Sequence, residues 1–164
     1  MPGREGEFER VCLPHARSLI RFAIRLTRDS SAAEDLVQET LLLAWRAFPR
    51  FREDNPRAWL FRILINCSKA EKRRSRSAPV LVTGEDLRAA APSDAEWVEV
   101  LQAVDRLPDE QSTVLLLAAV EGFTCREIAE ILEIPIGTVM SRLSRAREAL
   151  RGVLAPGRRE RAVR

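Results

Sequence analysis

Residues 124–151 read TCREIAEILEIPIGTVMSRLSRAREALR. Apolar residues recur at helical spacing on both sides of a break at Glu133–Gly137. Ile128, Ala129 and Leu132 make the inward side of the first stretch; Val139, Leu143, Ala146 and Leu150 make that of the second. Thr124 with Glu127 three residues on is a capping box for the first helix. Gly137-Thr138 starts the second. Its outward side carries Thr138, Ser141, Arg142 and Arg145, with Ser144 beside them, spaced three and four apart as one stripe. A short helix, a tight turn and a second helix with a polar, basic N-terminal half form the helix-turn-helix pattern. The major groove admits such a helix, Arg makes bidentate bonds to guanine, and small Ser and Thr allow close approach. Arg147 and Arg151 are better placed for phosphates, which position without specifying. The competing reading is a solvated basic face on an ordinary bundle helix; the Gly-Thr start and the small contact residues favour the groove.

The whole chain has 164 residues, enough for one domain or two small ones. Few glycines, an aromatic share of 5% and abundant Ala, Leu, Arg and Glu predict an all-α fold. The net charge is only +3, so the distribution of charge carries the information. Cys12, Cys67 and Cys125 are odd in number and include no C-x-x-C pair, which argues against a disulfide framework and for a reducing cytoplasm. Cys12 and His15 form a C-x-x-H pair with no second ligand pair, so a small buried thiol is expected there and no metal. No stretch approaches the ~18 consecutive apolar residues of a membrane span, and the charged N-terminus lacks a signal-peptide core. With one His, and no Gly-rich phosphate loop or triad, the sequence offers no catalytic site and no cofactor site.

Upstream, Glu7–Thr27 has helical periodicity that Pro14 kinks or divides. Ser31 with Glu34 predicts a capping box for a helix from Ala32 to about Phe48, ended by Pro49. Phe51–Asn55 reads as a loop, and Asn55-Pro56 as an N-cap with proline at N1 for a helix to about Arg76. Composition then shifts to a Pro- and Gly-containing stretch without sustained periodicity, and "VLV" at 80–82 is its longest strand-like run. A second helical block opens at Ser93 with Glu96 as another capping box, breaks at Leu107-Pro108, and continues from Asp109 to Val120, closed by Gly122. The expected organisation is two small helical domains, residues 1–76 and 94–164, joined by a flexible linker at 77–93.

Charge is segregated between two of these helices. Arg62–Arg76 holds six cations against Glu71, a net of +5, beside Trp59, Phe61, Phe51 and Phe48. Cations track phosphates and rings stack unpaired bases. For the aromatics alone, core packing is the stronger reading; for the Lys72–Arg76 cluster, nucleic acid is. Asp29–Ala44 carries Asp29, Glu34, Asp35 and Glu39 with no basic residue, a net of −4. Asp35, Gln38 and Glu39 share one face. By period alone a solvated face is the simplest reading of it.

Taken together, these stretches resemble the bacterial sigma factors of the extracytoplasmic-function (ECF) group in the sigma-70 family. AAEDLVQETLLLAWRAF (32–48) is similar to the family's region two helix. NPRAWLFRILINCSKAEKRRSR (55–76) resembles its promoter-melting helix, and residues 104–151 are similar to region four almost throughout. The resemblance covers most of residues 7–152. It implies a specificity subunit that is not an enzyme, that binds core RNA polymerase through its β and β′ subunits, that recognises promoter DNA, and that is controlled by an anti-sigma factor. It places Asp35, Gln38 and Glu39 where the family meets the clamp helices of β′, displacing the solvated-face reading. Asn66 and the loop Phe51–Pro56, with Asp54 and Asn55, fall where the family captures a flipped base of the −10 element. Lys69, Arg73 and Arg74 would hold nearby phosphates. Ser141, Ser144 and Arg145 fall where the family reads the −35 element, with Thr138, Arg142 and Arg147 close by. The chain departs from the family pattern at Leu64-Ile65-Asn66, at Ala70, and at Met140, where a basic residue is frequent.

Two other readings compete. A plain helix-turn-helix regulator would bind duplex DNA without polymerase, against which the 33–48 block and the basic helix argue. A sigma mimic that only sequesters an anti-sigma factor should have lost basic residues from its recognition helix, whereas Arg142, Arg145, Arg147 and Arg151 are kept.

Overall fold

Pro14 does divide the first periodic segment. In the structure, a computed structural model that describes residues 3–52, 54–75 and 102–154, α1 (Arg4–Cys12) passes through one 3-10 turn, Leu13–His15, into α2 (Ala16–Thr27). The regular structure among the described residues is all helical, with no strand. The expected linker at 77–93, the Val-Leu-Val run at 80–82, the Ser93/Glu96 capping box and Arg76 lie outside the described residues. The chain divides into two units, Met1–Leu87 and Arg88–Arg164.

In the N-terminal unit, α2 ends on Arg28 in the left-handed conformation (φ 59°), its N–H donating to the Ile24 carbonyl at 2.8 Å. The chain reverses there, so α3 (Ser30–Ala47) begins at once. Asp29 is its cap: the Asp29 carboxylate accepts from the Ala32 N–H at 2.7 Å. This corrects the expected Ser31/Glu34 box. The left-handed turn at Arg28 leaves no loop residue before Ser30, and a carboxylate is a stronger acceptor than a hydroxyl. A 3-10 turn, Phe48–Arg50, leads into the 51–55 loop. Asn55 then caps α4 (Pro56–Ser75), accepting from the Ala58 N–H at 3.0 Å, with Pro56 at N1 as expected. α2 packs on α3 and α3 on α4. Their shared core holds Leu19, Phe22, Leu36, Val37, Leu60, Phe61 and Leu64. Each such side chain contributes about 1.5–3 kcal/mol by leaving water.

In the C-terminal unit, residues 102–105 are helical and Leu107-Pro108 breaks that turn. α5 (Asp109–Ala119) follows, and Gly122 ends its exit turn at φ +72°. Thr124 and Glu127 form the expected reciprocal box at the start of α6 (Cys125–Leu132). The Glu127 N–H donates to the Thr124 hydroxyl at 3.3 Å, and the Thr124 N–H donates to the Glu127 carboxylate at 2.8 Å. Glu133 turns the chain in the left-handed conformation (φ 56°), and α7 (Ile136–Leu154) begins one residue ahead of the expected Gly137. Val114, Leu117, Ile128, Ile131 and Val139 make the core.

Candidate nucleic-acid interface

α7 packs on both α5 and α6 through Val139, Leu143 and Ala146, all buried as the period requires. That packing turns the opposite side of α7 outward. Ser141, Ser144, Arg145 and Arg147 are exposed, and Thr138 and Arg142 are half-buried. A Cβ added at Gly137 would meet nothing within 4 Å, so the first turn presents bare backbone. The helix-turn-helix thus stands as the sequence has it, with one difference. Arg142 is not free on the outward stripe: its guanidinium pairs with the Glu110 carboxylate of α5 at 2.6 Å. Its side chain is 22% exposed against 70% for Glu110. No local periodicity shows a partner 32 residues away; only the packing of α5 on α7 brings the two together.

The N-terminal unit carries two further surfaces. On α4, Arg62, Asn66, Lys69 and Arg73 recur at intervals of four, three and four, one stripe along the helix. Asn66, Lys69 and Arg73 are exposed. Arg74, also exposed, lies off that stripe and lines the groove with α3. On α3, Asp35, Gln38 and Glu39 are exposed on one face, and Leu42, 53% exposed, continues it one turn on. Leu42 was missed by sequence reasoning; its place at i+3 and i+4 from Glu39 and Gln38 was the available signal.

Between α3 and α4 lies a groove of about 830 Å³ lined by Asp35, Glu39, Arg46, Asn66 and Arg74, with Trp59 among its walls. Residues expected at two separate sites therefore share one cleft. Asn66 lies ten residues of helix beyond Pro56, about 15 Å along the α4 axis, while Phe51 of the preceding loop reaches Trp59, which lines the same groove as Asn66.

That loop is held by rings. Phe51 stacks on Phe48 (centroids 5.9 Å, 11°) and lies 4.6 Å from Trp59. Phe48 and Trp59 are buried and Phe51 half-buried, so the core-packing reading of these aromatics holds. Arg52 donates to the carbonyls of Pro49 and Phe51 at 3.1 and 2.6 Å. Asp54 is exposed beside Asn55, whose side-chain oxygen is engaged in the α4 cap.

All three cysteines are free thiols. Burial pushes the Cys12 thiol up to about 11. Burial also raises Cys67, against a hydrogen bond with Thr40 that lowers it. Among the described residues no group of three or more His, Cys, Asp or Glu side chains converges as a metal would need, and no helix is long and apolar enough to cross a membrane.

The chain matches the family Sigma-70 region 2 over residues 13–78 and Sigma-70, region 4 over residues 97–150. It is 33% identical to the RNA polymerase sigma-H factor of Pseudomonas aeruginosa over 96% of this chain and 91% of that one. It is 38% identical to the ECF RNA polymerase sigma factor SigL of Mycobacterium tuberculosis over 84% and 82% of the two chains. Among solved structures, the sigma factor RpoE of Bartonella quintana, crystallised with the anti-sigma factor NepR, superposes with a TM-score of 0.79 at 32% identity, covering 91% of this chain and 97% of that one. With both regions matched in order and relatives of this identity spanning most of its length, the chain belongs to the sigma-70 family, in the ECF group of RNA polymerase sigma factors.

Proposed function

We propose that the chain is the promoter-specificity subunit of bacterial RNA polymerase, acting in the cytoplasm without an active site or cofactor of its own. Residues 1–76 form the domain that docks on the core enzyme and opens the −10 element, 77–93 the linker, and 94–164 the domain that reads the −35 element. Asp35, Gln38 and Glu39 meet the β′ clamp helices. Phe51, Asp54, Asn55, Asn66, Lys69, Arg73 and Arg74 handle the −10 strand. Thr138, Ser141, Ser144, Arg145 and Arg147, with Arg142, handle the −35 duplex, whose partner on the core enzyme is the β subunit. An anti-sigma factor holds the chain inactive, as NepR binds its relative in Bartonella quintana.

The observation that carries this reading is the pairing of an acidic stripe on α3 with a basic, Asn-containing stripe on α4 in one unit, while the other unit holds a helix-turn-helix. A plain duplex binder has no use for an acidic face beside its basic one, since like charge repels the phosphate backbone. A basic stripe beside ring-braced loops suits a strand whose bases have left the stack.

The test is transcription in vitro. The full chain is mixed with core RNA polymerase and a library of genomic promoter fragments, and the transcript starts are mapped. Discrete starts sharing one upstream pair of elements are expected. The double variant Asp35→Lys, Glu39→Lys should weaken core binding at least about tenfold, through lost complementarity at a charged interface. Core-independent duplex binding with no initiation would overturn the reading.

A further inference from the structure

Two large apolar side chains stand in solvent at the start of α7. Ile136 is 49% exposed and Met140 58%. They are four residues apart, so one lies over the other along a single flank of the helix. At 100° per residue that flank adjoins Ser144 and Arg147 on the outward side. Met140 and Leu143 supply the apolar part of a shallow hollow of about 470 Å³, bounded by Ser144, Arg147, Arg151 and Glu148. The hollow also touches Cys125, the first residue of α6. It therefore opens where the first helix of a helix-turn-helix crosses the DNA backbone and the second enters the groove.

A phosphate or a base-edge hydrogen bond gives Met140 and Ile136 nothing. The apolar group that a base pair presents in the major groove is the C5-methyl of thymine. We infer that Met140, backed by Ile136, reads a thymine methyl in the upstream duplex, so that the specificity of α7 has an apolar component beside its arginine and serine contacts. The inference rests on the reading of α7 as the −35 helix. The neighbouring cations fit this occupant: Arg147 and Arg151 border the hollow, and arginines beside a base contact suit the adjoining phosphates. The size fits as well. Two side chains interrupted by Arg147 and Glu148 make a patch far smaller than the roughly 1,000 Å² of a stable protein interface, yet ample for one methyl group.

The test uses the holoenzyme on its mapped promoter, with each thymine of the upstream element replaced in turn by uracil. Uracil removes the methyl and keeps every hydrogen bond of the pair. At one thymine or two, the wild type should bind the uracil promoter about three- to fourfold more weakly, the worth of one buried methyl. Met140→Ala should bind the two promoters equally at one of those positions, and Met140→Leu should restore the difference. Met140 is exposed, so neither variant disturbs the core. Indifference of the wild type to uracil at every position would overturn the proposal, as would a methyl preference that survives Met140→Ala. Loss of initiation in Met140→Ala without any methyl dependence would also overturn it, and would assign the pair to a protein partner. Failure of α7 variants such as Arg145→Ala to alter upstream recognition at all would instead overturn the underlying reading of the helix, and this inference with it.

Discussion

The two units hold helices of similar length in place by different means. In the N-terminal unit a series of ring contacts, three of them edge to face, runs through the core. Phe8 meets Trp45 at 5.2 Å and Phe48 at 5.3 Å, Phe22 meets Phe61 at 5.2 Å, and Phe51 closes on Trp59. Among the described residues the C-terminal core is aliphatic apart from Phe123, and its helices are set by the Thr124/Glu127 box, the left-handed turns at Gly122 and Glu133, and the Glu110–Arg142 pair. The difference follows from what each unit must fix. A loop such as 51–55 has no hydrogen-bonded ladder of its own, so large rigid rings are the means to brace it. A helix presented to a groove needs its axis aimed, and caps and turns set where an axis begins and points.

The largest effect should come from the ring chain. Phe61 is fully buried against Phe22, and Phe61→Ala should destabilise the N-terminal unit by about 3–5 kcal/mol, read by urea titration of Trp fluorescence. Thr124→Ala removes one half of the box and should cost the C-terminal unit about 1 kcal/mol. A cap deletion as costly as the ring deletion would break the contrast, because terminal devices would then bear as much of the fold as core packing does.

The same contrast decides what was legible in the sequence. Local devices were: the Asn55-Pro56 entry, the Thr124/Glu127 box, the division at Pro14, and the inward positions Val139, Leu143 and Ala146. Each depends on residues within one turn or on one helix period. What depends on a neighbour distant in the chain was not. Arg142 carries the right spacing for the outward stripe, yet Glu110 of α5 holds it, and nothing near position 142 announces that. Asp35 and Asn66 were read as separate sites because α3 and α4 were read separately, while packing gives them one groove. The Asp29 cap was missed for a subtler reason. Ser31/Glu34 has the right spacing for a capping box, but Arg28 takes the left-handed conformation that pulls the helix start back to Ser30.

The Glu110–Arg142 pair gives a smaller and more specific prediction. The pair is partly exposed and worth only about 0–1 kcal/mol to the fold, so Glu110→Gln should barely change the melting temperature. It should change DNA binding more. In the wild type the Glu110 carboxylate competes with a phosphate for Arg142; in the variant that competitor is gone. Binding to the upstream duplex should tighten, and its dependence on log salt should steepen by up to about 0.9, the slope of one further phosphate contact. An unchanged slope would mean that Arg142 stays on α5 in the complex and serves only to aim α7.

The smallest effect concerns the N-terminal unit and pH. His15 ends the 3-10 turn between α1 and α2, and its pKa is lowered, first by burial and then by the Arg57 guanidinium. Well above the ordinary histidine value of 6.5 the ring is uncharged in both folded and unfolded chains and adds nothing to the pH dependence. As pH falls through the ordinary histidine value of 6.5, the unfolded chain takes up the proton first, so stability is lost from there down to the lower folded value. His15→Gln cannot take up that proton and should lose less stability over the same interval, read as a smaller drop in Tm between about pH 7.5 and about pH 5.5. The buried thiols act at the opposite end. Cys12, held up to about 11, and Cys67 stay protonated in the fold while the unfolded chain ionises above the ordinary thiol value of 9.0, so their linkage removes stability only as pH rises. The two windows do not overlap, and a slope below neutrality that survives His15→Gln unchanged would rule out the turn that Pro14 makes as its source.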